Sequence, residues 1–165
     1  MPKQWVAVVA LGLALQGPAA LAQSEGWGTG YQMGTSYAGV SGADGTRLTF
    51  YCGDAAAARA NPAILSGPYL IAVLPKTQLK DALPAAIEIV ADGKATRVPV
   101  KAQAGIDEVE LTWTPDQGFG VIQMRPVVAS LREAKRIELR AADASVLLPT
   151  DGVAKALAGD PLSCP

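Results

Sequence analysis

Histidine is missing from the 165 residues altogether. With it go the commonest general base and the commonest metal ligand, so Ser-His-Asp and Cys-His hydrolysis are excluded before any motif is sought. Cysteine is nearly missing as well. The two that occur, Cys52 and Cys164, form no CxxC and have no histidine beside them, which leaves zinc almost no site and gives neither thiol a context that would lower its pKa. An excess of either charge is also lacking: 14 Lys and Arg against 15 Asp and Glu give a formal net charge of −1. Such a chain carries no electrostatic footprint for nucleic acid or for an anionic membrane. No G-x-x-x-x-G-K-[ST] occurs, and Gly26-Trp27-Gly28-Thr29-Gly30 has no strand before it and no helix after it, so it is no dinucleotide fingerprint. No cofactor and no metal are expected.

A long hydrophobic run is the next absence. The apolar stretch Trp5 to Leu15 is about 11 residues, against the ~20 needed to span a bilayer. Lys3 precedes it and Ala20-Leu21-Ala22 follows it, the order of charge, apolar core and small-x-small site that marks a secretory signal peptide over 1–22, cleaved after Ala22. Position 23 is Gln, so the acylated cysteine of a lipoprotein is not there. The mature chain is expected in the periplasm or secreted, without stable membrane insertion. If Met1 to Gln16 is present, it is expected to form a helix that packs poorly on the domain. Export decides the cysteines: an oxidising compartment lets a pair close, and a pair has one intramolecular connectivity, Cys52 to Cys164. Closing a loop of roughly 100 residues contributes about 4 to 5 kcal/mol in the chain-entropy picture.

What is present is an excess of glycine early on. Residues 23–45 read as a leader rich in glycine with Trp27, Tyr31 and Tyr37 interspersed. These rings are either a sugar- or peptide-stacking partner surface or a lid folded onto the domain, with an edge strand near Thr35 to Val40. From 46 to 165 a single domain is expected, long enough to bury a real core. Arg47 to Cys52 is a β-branched and aromatic strand. Ala55 to Pro68 reads as an Ala-rich loop with room for one helical turn. Tyr69 to Leu74 is a continuous apolar run stopped by Pro75, as in a strand covered on both faces. Ile87 to Ala91, Asp92-Gly93 and Thr96 to Lys101 make a hairpin signature, and Pro99 pushes its second arm toward an edge or a bulge. Glu108 to Trp113 alternates, with Val109, Leu111 and Trp113 on one face.

The later signals are a short strand at Val121 to Met124, then a helix with Pro126 in its first turn and Val127, Val128, Leu131 and Ala134 on one face. A strand from Ile137 to Ala141 with its charges outward follows, then another at Val146 to Leu148. A last short helix capped by Thr150 or Asp151 ends the pattern. The fold class expected is mainly β: an antiparallel β-sandwich or barrel-like domain with one or two short helices and one disulfide.

The remaining chemistry is carboxylate chemistry. Asp107, Glu108 and Glu110 lie close together, and paired carboxylates hydrolyse glycosides, but alternating exposed carboxylates on a strand are chiefly a solvated face. The signal peptide, the Leu48 to Cys52 strand, the Asp92-Gly93 hairpin, the helix-strand-strand tail and the cysteine near the end together resemble small proteobacterial periplasmic proteins of the invasion-associated locus B type and of the type VI secretion accessory type. That resemblance implies a non-catalytic β module acting through protein contacts, and it transfers no site residue. The expected function is an exported binding or accessory module whose partner is a protein or an envelope component. An inhibitor of an envelope hydrolase and a carboxylate-dependent hydrolase are the alternatives.

Overall fold

The computed structural model describes residues 26–62, 64–79, 83–115 and 118–164. The signal peptide, its cleavage site after Ala22 and the helix expected at Met1 to Gln16 lie outside the described residues. The described chain is mainly β, with ten strands in two antiparallel sheets. The first sheet runs β1 (Trp27–Gln32), β2 (Thr35–Ser41), β3 (Arg47–Gly53), β4 (Gly67–Pro75), β8 (Glu108–Trp113) and β7 (Lys101–Ala104). The second runs β10 (Ala144–Leu148), β9 (Ile137–Ala141), β5 (Ala86–Ala91) and β6 (Lys94–Pro99). Three α-helices occur among the described residues: α1 (Ala55–Ala60), where the Ala-rich stretch left room for a helical turn, α2 (Val121–Glu133) and α3 (Val153–Ala156). Among the described residues no helix is long and apolar enough to cross a membrane.

One core joins both sheets. Leu48, Phe50, Leu70, Leu74, Leu111 and Trp113 from the first sheet meet Ile87, Ile89, Ile137 and Leu139 from the second, all essentially without solvent contact. β4 lies between β3 and β8, and both its faces are largely covered: Leu70, Ala72 and Leu74 are buried on one and Tyr69 and Val73 on the other. The Asp92-Gly93 turn has positive φ at both residues, 48° and 85°, the type I′ geometry that dipeptide favours. Asp92 does more than turn the chain: its carboxylate accepts from the Lys135 and Arg136 amides at 3.0 and 2.9 Å, tying the hairpin to the α2–β9 junction. Pro99 ends β6, an edge strand, and the chain crosses there to β7 in the other sheet.

Three local readings are corrected. Val121 to Met124 is helix, not strand, and Pro126 sits in the sixth position of α2. The start is set by Gly120, whose amide donates to Gln123 Oε1 at 3.0 Å, and by Met124, which extends the buried stripe of Val127, Val128 and Leu131 one turn back. α3 is capped by neither Thr150 nor Asp151. It follows Gly152, whose φ of 75° and close approach to the Trp27 carbonyl suit a residue without a Cβ.

On β9 the outward charge is not all solvated, because Glu138 points away from the core yet is only 9% exposed. Arg140 grips its two carboxylate oxygens from Nε and Nη2 at 2.7 and 3.0 Å, and the Ser145 hydroxyl donates to Oε1. These hydrogen bonds, Arg140 first and Ser145 second, pull the Glu138 pKa from 4.5 to about 2. A depressed carboxylate stabilises the fold above its unfolded pKa, and that stabilisation is lost as pH falls through the folded value. The melting-temperature gap between the wild type and Glu138→Gln should therefore be full at pH 6 and shrink between pH 4.5 and about 2. A gap independent of pH would assign the effect to packing rather than to charge.

Candidate functional site

Strand alternation sorts the first sheet into a core face and an outer face. Leu48, Phe50 and Cys52 on β3 point inward, so Arg47, Thr49 and Tyr51 point outward. Register then aligns three tyrosines across neighbouring strands, Tyr37 opposite Tyr51 and Tyr51 opposite Tyr69. The Tyr51 and Tyr69 rings stack at 5.0 Å between centroids with an interplanar angle of 11°, and Tyr37 tilts against Tyr51 at 6.3 Å and 49°. Cross-strand aromatic pairs of this kind stabilise a sheet by roughly 0.2–1 kcal/mol each.

The row continues over β1 because its next position is Gly30, paired with Tyr37. A Cβ at Gly30 would run into the Tyr37 ring and hydroxyl, so this glycine lets the ring lie across the edge strand. Two shallow grooves flank the ring. One, of about 340 Å³, is floored by Gly28 and Gly39 and walled by Gln32, Tyr37 and Tyr51. The other, of about 370 Å³, runs past Met33, Thr35 and Asn61 to Tyr69.

Polarity across this face is graded. Burial is the main effect on the Tyr69 phenol and raises its pKa above 10.0, keeping it protonated. The charged groups stand at the other end, where Arg47 pairs with Glu108 at 3.0 Å. Around the tyrosines the polar groups are hydroxyls and the Gln32 and Asn61 amides, with the Glu110 carboxylate near enough to add to the rise at Tyr69. The rings stack: chemistry suited to a flat or extended ligand without negative charge.

The residues singled out from sequence are not brought together. Trp27 belongs to the core: it is 7% exposed, and its indole donates to the Pro149 carbonyl at 2.9 Å. The strands holding it are part of the first sheet, with β2 paired to β3 along its whole length, so Trp27–Gln32 and Thr35–Ser41 are sheet strands and not a leader outside the fold. Tyr31 is 72% exposed but faces the core side of β1, at the rim of a cleft of about 800 Å³ shared with the C-terminal segment. Tyr37 alone of the three lies on the outer face, 38% exposed.

Of the carboxylates, Glu108 pairs with Arg47 and Glu110 accepts from the Thr112 hydroxyl at 3.1 Å, while Asp107 is held through its backbone, whose carbonyl accepts from the Lys76 amide. Cys52 and Cys164 are bonded, with Cα atoms 5.4 Å apart, and hold the C-terminal segment against β3. Tyr51 and Tyr69 were not singled out. Their alignment depends on register between strands, which no single segment displays.

The YfjT family model matches residues 25–157, from just before β1 to just after α3. No curated protein and no solved structure matches the chain.

Proposed function

We propose that this chain, which belongs to the YfjT family, is an exported binding module without a catalytic centre, whose partner is a protein or a cell-envelope component held at the tyrosine row of the first sheet. The observation that carries the reading is the alignment of Tyr37, Tyr51 and Tyr69 beside two glycine-lined or hydroxyl-lined grooves. The partly exposed Tyr37 and Tyr51 rings, the second stacked on the buried Tyr69, bring contact area at low entropy cost, and Tyr is enriched among residues that dominate interface energies. Export is supported by the signal pattern of Met1 to Gln23 and by the disulfide. The resemblance to small periplasmic accessory proteins points the same way.

The test is a double variant, Tyr37→Ala with Tyr51→Ala. Capture of partners from a periplasmic extract should fall, with Kd for the identified partner weakened roughly thirtyfold or more, the equivalent of about 2 kcal/mol. The domain should remain folded, because neither ring is part of the core. Undiminished capture by the folded double variant would remove the tyrosine row from the interface.

A further inference from the structure

The edge of the first sheet at β1 is unprotected. Trp27 turns its backbone N–H away from β2 and donates it to the Asp151 carbonyl at 2.8 Å. Antiparallel pairs alternate, so Trp27, Thr29 and Tyr31 direct their amides and carbonyls off the sheet, while Gly28, Gly30 and Gln32 exchange hydrogen bonds with β2. The two-residue turn at Met33-Gly34 fixes the same phase independently, since it closes on the Gln32–Thr35 pair. Among the described residues the Thr29 and Tyr31 amides have no partner. Exposed edges are ordinarily blunted by charge, proline or shortness, and the opposite edge, β7, is four residues long and begins with Lys101. β1 has no charged residue and no proline. Its first outward amide is already used in the manner of a strand, by residue 151 of the same chain.

Space for alternate side chains exists on both sides of this edge. On the core side is the cleft of about 800 Å³, bounded by Thr29, Tyr31, Ser36, Lys155, Asp160 and Pro161. On the outer side is the glycine-floored groove of about 340 Å³ beside Tyr37. The cleft's charges are unequal in availability. Asp160 is engaged by Arg125 at 3.7 Å, by the Leu162 amide at 3.1 Å and by the Ser163 hydroxyl at 2.7 Å. Lys155 has no ion-pair partner among the described residues, so the open charge in the cleft is positive.

We propose that the β1 edge binds an extended peptide segment of a partner protein by strand addition, pairing antiparallel with Thr29 and Tyr31, with an acidic side chain turned into the cleft toward Lys155. Backbone hydrogen bonds supply affinity in this mode, and pockets for alternate side chains supply specificity. Peptide residues opposite Thr29 and Tyr31 enter the cleft, and the residue opposite Gly30 lies on the outer face against Tyr37. The inference rests on the binding-module reading and names the chemistry of its partner.

The test uses N-acetylated, C-amidated eight-residue peptides of alternating Thr and Val, with Asp placed at each position in turn and a matched Lys set. Amide shifts and hydrogen exchange are followed on the labelled protein. The best Asp peptide should protect the Thr29 and Tyr31 amides and bind at least tenfold more tightly than its Lys counterpart. Lys155→Ala should remove that preference. Thr29→Pro deletes an off-sheet N–H and no β1–β2 hydrogen bond, so it should abolish binding in a folded protein. If that variant does not fold, N-methylating the peptide's pairing amides should abolish binding to the wild type instead. Absence of protection with every peptide, or binding that survives both changes, would overturn the proposal. So would protection of the same amides that grows with protein concentration alone, which would make the occupant a second copy. The double variant Tyr37→Ala with Tyr51→Ala removes the outer-face contact but keeps the β1 backbone, so peptide should bind more weakly and still protect Thr29 and Tyr31 at saturation. Loss of natural-partner capture there, with no peptide bound at the edge, would leave the tyrosine row standing and the edge proposal fallen.

Discussion

Trp27→Ala is expected to lower stability by about 3–5 kcal/mol, the usual result of truncating a buried tryptophan, whereas Tyr31→Ala four residues on should stay within about 0.5 kcal/mol. The two positions share a strand and a face, and burial alone separates them: 7% exposure at Trp27 against 72% at Tyr31. The Trp27 indole also supplies the donor for the Pro149 carbonyl at 2.9 Å, and its backbone amide meets Asp151 at 2.8 Å. Trp27 thus fixes both β1 and the approach to α3. Trp27→Phe keeps a ring but removes the hydrogen bond, which is expected to contribute about 1 kcal/mol, together with part of the buried volume. Its stability should therefore fall between those of the wild type and Trp27→Ala. Urea titration of the four proteins checks the order. A loss below about 1 kcal/mol for Trp27→Ala would place the indole at the surface and return it to the candidate interface.

That contrast shows where the sequence was legible. Strands whose apolar residues alternate or run continuously declared themselves: Val109, Leu111 and Trp113 face inward, and Tyr69 to Leu74 lies in the central strand. Asp92-Gly93 declared its turn, because that dipeptide tolerates positive φ where few others do. Of the hairpin, β2 was legible near Thr35 to Val40, while β1 and the turn were silent for the converse reason. Met33-Gly34 makes the same left-handed turn at φ 50° and 82°, yet a methionine there is no turn signal, and alternate glycines on β1 erase the period-2 pattern. Glycine is present there because a ring lies over it, which is a fact about Tyr37 and not about β1.

The tyrosine row was hidden for a related reason. Tyr37, Tyr51 and Tyr69 are separated along the chain and become neighbours only through the registers of two strand pairs. Glu138 was misread because alternation gives direction without cover. Its position on β9 points away from the core, but β9 is an inner strand, and Arg140 and Ser145 close over the carboxylate.

Replacing Cys52 and Cys164 together with Ser is expected to cost about 4 to 5 kcal/mol, because the bond closes a loop spanning 112 positions and its main effect is on the unfolded chain. Domains of this kind are stable by only 5–15 kcal/mol or so, and the variant should fold with a much reduced margin. Where the loss appears distinguishes two physical pictures. If the bond acts by limiting the unfolded ensemble, amide exchange should accelerate by the same free energy throughout the slowest-exchanging core, at Phe50, Leu70 and Leu139 alike. If it acts by pinning the last segment, exchange should accelerate only near Leu162, a core residue two positions before Cys164, and the urea midpoint of the core should hardly move. Leu162 is buried, and Asp160 already orders the turn through the Leu162 amide and the Ser163 hydroxyl, so the segment has packing of its own. The uniform loss is therefore the expected outcome. Acceleration confined to residues 157–164 would instead make the disulfide a local clasp, with the cleft beside Lys155 opening when it is reduced.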